Sequence, residues 1–101
     1  ANGADPNAAA ENETGIRPLH AAVASGSASA VRQLLLMGAQ PDLPRAGGYT
    51  ALHGAAAHGR IEIVRLLLEA GADKRAVAHD GSTAAGLALR NGHGDLLDLL
   101  A

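Results

Sequence analysis

Gly48-Tyr49-Thr50-Ala51-Leu52-His53-Gly54-Ala55-Ala56-Ala57-His58-Gly59, with Ile63-Val64-Arg65-Leu66-Leu67-Leu68-Glu69-Ala70-Gly71-Ala72-Asp73 soon after, is the stretch that decides the fold. Thr50 is a good helix N-cap, because its hydroxyl can accept from a backbone N–H of the first turn. His53 stands three residues later, where its ring can reach back to the Thr50 backbone and close a reciprocal cap. Gly59 follows the short Ala-rich helix, at a point where a left-handed residue ends a helix without penalty. A second helix then carries apolar residues Ile61, Val64, Leu67 and Leu68 at helical spacing. Gly71 closes it in the same way.

Outward from this unit, the same columns recur every 33 residues. Gly26, Gly59 and Gly92 keep that spacing, as do His20 and His53, Gly38 and Gly71, Thr50 and Thr83, and Leu67 and Leu100. A self-similar unit of this size means supersecondary modules stacked so that each buries its apolar face on the next. In the first unit Pro18 takes the first helical position, where its missing N–H costs nothing. Val31, Leu34 and Leu35 form the apolar stripe of that unit's second helix. Ala21, Ala22, Ala55, Ala56 and Ala88 let neighbouring first helices approach closely, which accounts for an Ala-rich composition with Tyr49 as the only aromatic.

These two stretches resemble the ankyrin repeat, which pairs a G-x-T-P-L-H opening with a later L-L-L-x-x-G-A-D. The resemblance extends over essentially the whole chain. It implies an all-α solenoid of helix-turn-helix units joined by β-hairpin-like loops. One domain over 1–101 is expected: 1–13 as the tail of a truncated preceding repeat and its loop, 14–46 and 47–79 as repeats, and 80–101 as a C-terminal capping repeat. Two extra residues fall in the first loop, between Ala8 and Thr14, where insertion is cheap. Arg17 stands where Thr is usual, so the first unit should lose a side-chain cap worth about 1 kcal/mol. The last unit keeps Thr83 but has Gly86 in the His column, and its Asp95 and Asp98 suit the polar outer face of a cap. Because the chain starts mid-pattern, we expect further repeats upstream in a longer parent protein.

The chain is 101 residues long, carries a formal charge of −2 and has no cysteine. Disulfides and Cys-based zinc sites are therefore excluded. The seven arginines and the single Lys74 are scattered rather than gathered into a stripe, so neither nucleic acid nor membrane is an expected partner. No apolar run is long enough to span a bilayer, and 1–10 has no signal-peptide pattern. An intracellular, cytoplasmic monomer is the expectation, with the N-terminal repeat face left for contact.

No cofactor, metal or catalytic residue is expected, and so no enzyme. His20 and His53 belong to the capping column, His93 to the Gly-His corner, and His79 beside Asp80 lacks the spacing of a metal site. Ser25, Ser27 and Ser29 flank a helix–helix corner as caps and turn formers. Glu62, Arg65 and Glu69 have the spacing of surface ion pairs along one helix. The resemblance instead implies protein binding through the loop tips and the exposed ends of the first helices. Carried over by column, the partner-binding candidates are Glu13, Ile16 and Ser25, then Arg45, Tyr49 and His58, then His79, Asp80, Ser82, Arg90 and Asn91. Tyr49 stands out because tyrosine is enriched at binding hot spots. The alternative is a regulatory or scaffolding segment of a multidomain protein, packed on further repeats or on a catalytic domain.

Overall fold

The computed structural model describes residues 6–8 and 15–101. Among the described residues there are six α-helices: α1 Pro18–Ser25, α2 Ala28–Leu36, α3 Ala51–Ala57, α4 Ile61–Glu69, α5 Ala84–Arg90 and α6 Leu97–Leu100. They alternate between two layers. The first helices α1, α3 and α5 pack side by side, and α2 and α4 pack beside each other behind them. Within each unit the two helices contact one another. No strand occurs among the described residues, and the all-helical stack expected from the repeat is the architecture observed.

The local chemistry explains the element ends. Thr50 caps α3, accepting from the His53 N–H at 3.4 Å, and Thr83 caps α5, accepting from the Gly86 N–H at 3.0 Å. Ser27 caps α2 through the Ala30 N–H at 3.1 Å. Gly26, Gly59 and Gly92 all take positive φ at the corner that follows a first helix. After α2, Gly38 sits at φ 99°, and the Gly38 and Ala39 N–H groups donate back to the Leu35 and Leu34 carbonyls. This is the double bond pattern that satisfies the last carbonyls of a helix.

The core is built from small and branched residues of both layers. Leu19, Val23, Leu52, Ile63, Val64, Leu67, Leu96 and Leu100 are buried, with Ala22, Ala55, Ala56 and Ala88 filling the seams between first helices. Two side chains and one charge pattern depart from the sequence expectation. Ile61 is 42 % exposed, because it opens α4 at the corner, and Ile63 takes the core position instead. Ala21 faces outward. The acidic and basic residues of α4 do not pair along their own helix; Glu62 instead meets Arg32 of α2 at 3.7 Å, linking neighbouring units.

Loops supply the remaining connections between units. Asn7 Oδ1 accepts from the Gln40 N–H at 2.7 Å, and one unit later Asp42 Oδ1 accepts from the Asp73 N–H at 2.8 Å. Each of these residues follows a proline, in Pro6-Asn7 and Pro41-Asp42. The Arg45 N–H donates to the Tyr49 carbonyl, and the Ala78 N–H to the Ser82 carbonyl, each at 2.9 Å. Each bond closes a hairpin-like tip without a strand ladder, and the His79 N–H joins the two tips by donating to the Gly47 carbonyl at 2.8 Å.

Candidate binding groove

The capping histidines sit directly beneath the loop tips and differ in how well they are satisfied. His53 Nδ1 accepts from the Thr50 N–H at 2.9 Å. The proton must then be on Nε2, which faces the Ala76 and Ser82 carbonyls at 3.1 Å each. One imidazole thus ties the start of α3 to the loop of the following unit. In the first unit His20 Nδ1 accepts from the Arg17 N–H at 3.2 Å, but buried Nε2 finds no hydrogen-bond partner. Burial pushes the His20 pKa down to about 4; the nearby Tyr49 carbonyl, which falls short of hydrogen-bond geometry, opposes the shift, and the Arg45 and Arg17 charges add to it. The forward half of the first cap is missing because a guanidinium has no acceptor. Arg17 uses its donors elsewhere, giving Nε–H to the Pro44 carbonyl at 3.1 Å and Nη1–H to the Asn7 carbonyl at 2.7 Å.

Tyr49 is the hub of the loop tips. Its hydroxyl donates to Asp80 Oδ2, and the other Asp80 oxygen accepts from the Ser82 N–H at 2.9 Å. The Tyr49 bond and the Ser82 donors hold the Asp80 carboxyl at about 2, and the same bond raises the Tyr49 pKa. The Tyr49 ring meets the His53 ring edge to face, with centroids 5.9 Å apart. The Arg45 guanidinium lies 5.3 Å from the ring centroid on its face. Tyr49 is therefore a bridge between two units as well as a surface aromatic.

Between these tips and the first helices runs a groove of about 220 Å³. Its floor and walls are small: Val23 and Ala24 from α1, Ala51, Gly54 and Ala57 from α3, and Leu87 from α5. Its polar edge is formed by Arg45, Tyr49 and His58, with His20 and His53 behind. The three candidates of the second unit thus converge on one concavity. The other described candidates do not line it. Ser25 is exposed and donates its hydroxyl to the Ala22 carbonyl at 2.8 Å, and Ile16 is 38 % exposed beside the first unit. His79, Arg90 and Asn91 are exposed further along the stack. Ser82 is 8 % exposed, and its backbone serves Asp80 and His53, so a partner would reach little of it. Glu13 lies outside the described residues.

Among the described residues, no three His, Cys, Asp or Glu side chains come close enough to hold a metal ion. No described helix is long and apolar enough to cross a membrane. The groove is smaller than the ~300–1,000 Å³ of a typical small-molecule site, and the histidine rings in it are committed to the helix starts or, like His58, stand at its edge.

The family model for ankyrin repeats, which spans three copies, matches residues 2–78 and again 19–101. The chain belongs to the ankyrin-repeat family. No curated protein matches it. Ankyrin repeats are in general protein–protein interaction modules and typically non-catalytic.

Two features of the site have no counterpart in the sequence reading. The Asn7 and Asp42 bonds between units could have been suspected from the repeated Pro-Asn and Pro-Asp pairs, which are turn signals with a side-chain acceptor. The Tyr49–Asp80 bridge gave no such signal, because the two residues are 31 apart and come together only through stacking.

Proposed function

We propose that this ankyrin stack binds a partner protein in the groove between the loop tips and the first helices, with Arg45, Tyr49 and His58 as its contact edge. The observation that supports this most is their convergence on a concavity whose walls are too short to fill it. Tyr49 is already held by Asp80 and Arg45, so docking against it costs little side-chain entropy. The remaining candidates, Ile16, Ser25, His79, Asp80, Arg90 and Asn91, would form a peripheral rim.

The test replaces Tyr49 and Arg45 with Ala, singly and together, and measures affinity for a partner recovered with the intact protein. Each variant should weaken binding while far-UV circular dichroism stays unchanged. Unchanged affinity with an unchanged fold removes the groove from the account.

A further inference from the structure

The charge of the groove differs from that of the molecule. The chain holds ten acidic residues against eight basic ones, for a formal charge of −2. Yet among the described residues the groove is lined by no Asp or Glu, and Arg45 is its one formally charged side chain. The nearby Asp80 lies outside the lining and stays ionised, its two oxygens accepting from the Tyr49 hydroxyl and the Ser82 N–H. Arg45 has no carboxylate partner within salt-bridge reach among the described residues, where the ion pair formed is Arg32–Glu62. It rests on the Tyr49 ring, with its N–H groups directed by stacking rather than consumed by a carboxylate.

The shape narrows the occupant further. About 220 Å³ holds a side chain, not an α-helix, whose diameter with side chains is roughly 10–12 Å. An extended segment sends alternate side chains to the same side. It can seat one apolar residue against Val23, Ala57 and Leu87 while its neighbours reach the polar edge.

Resting on the proposed groove, we infer that the partner contributes an extended acidic segment: one apolar side chain enters between α1 and α3, and flanking Asp or Glu carboxylates meet Arg45 and His58. A nucleic acid is the less suitable polyanion, because it is gripped by a stripe of cations rather than by one arginine. Planar bidentate donation from Arg45 suits a carboxylate.

Selection of random linear peptides displayed on phage against the whole immobilised chain tests this directly. Sequenced winners should be enriched in Asp and Glu over the unselected library. The best peptide, labelled for fluorescence anisotropy, should lose about tenfold in affinity against Arg45→Glu, which removes an attraction and adds a repulsion. It should lose nothing against Arg65→Glu, an exposed arginine of α4 outside the groove. Raising salt from ~0.05 to ~0.5 M should weaken binding, because exposed charges are screened over a shorter distance. Winners that are neutral or basic, but still weakened by Tyr49→Ala, overturn the acidic inference and leave the groove standing. Failure to select any peptide, or sensitivity to Arg65→Glu in place of Arg45→Glu, overturns the groove as well. Tighter binding of an oligothymidine than of the best peptide overturns the choice of a protein segment.

Discussion

Replacing His53 with Ala should cost far more stability than replacing His20, although the two occupy the same column of the repeat. His53 is 1 % exposed, and its ring makes bonds at both ends: the Thr50 N–H to Nδ1, and Nε2–H shared between the Ala76 and Ser82 carbonyls. Its removal leaves a buried N–H unpaired, costing about 1–3 kcal/mol, and a ring-sized void costing about 2 kcal/mol or more. Together these give about 3–5 kcal/mol. His20 is 9 % exposed, makes one bond at 3.2 Å, and carries an unpaired Nε2 whose removal relieves a buried orphan. Its loss should cost about 1–2 kcal/mol. The gap of about 2 kcal/mol corresponds to about 8–16 °C in Tm for a domain of this size. Urea unfolding followed by far-UV circular dichroism measures both losses. Hydrogen exchange should also show α5 and the Ala76–Ser82 loop losing protection in His53→Ala before α1 does. Equal losses in the two variants, or a larger loss for His20→Ala, would refute the assignment of the inter-unit tie to His53.

Acid should destabilise the protein in two separate windows. His20 has a folded pKa near 4 against 6.5 when unfolded, so the unfolded chain binds the extra proton first. Stability is therefore complete above pH 6.5 and declines as pH falls to about 4; His20→Gln should flatten that decline in urea titrations at pH 7 and pH 4.5. Asp80, lowered from 3.8 to about 2, acts below that window: its contribution is present above pH 3.8 and lost as pH falls towards 2, and Tyr49→Phe should remove much of it. Gly54 lies within α3, and an added Cβ would meet only Val23 Cγ1 at 3.6 Å, so Gly54→Ala should stabilise the fold by about 0.5–1 kcal/mol in the same urea assay. Gly59→Ala and Gly71→Ala should both cost about 1–2 kcal/mol for a non-glycine residue at positive φ. Gly59→Ala should cost more in thermal melts, because its Cβ would come within 2.6 Å of the His93 ring, whereas nothing lies within 4 Å at Gly71.

The sequence carried the two-layer stack because the repeat is written in local chemistry. Thr50, Thr83 and Ser27 cap helices by reaching only three residues along the chain, and Gly38 and Gly71 end helices through their own backbone. Period 3.6 placed Val31, Val64 and Leu67 in the core. It misplaced Ile61, because a residue that opens a helix at a corner lies at the end of the apolar stripe and is not covered by it. The groove was less legible. Column position brought Arg45, Tyr49 and His58 forward as candidates, but their shared concavity depends on the spacing of α1, α3 and α5, which no local pattern encodes. The different states of His20 and His53 were hidden for the same reason. Both histidines read alike in sequence, and only the positions of the following loop's carbonyls separate them.

The central claim, that a partner protein occupies the groove, is tested most directly by placing a photo-crosslinking amino acid at His58, on the groove edge, and separately at Arg65, exposed on α4. The account predicts a discrete crosslinked adduct from position 58 that competes away with excess unmodified protein, and none from position 65. An adduct from position 65 alone, with position 58 silent, would contradict it.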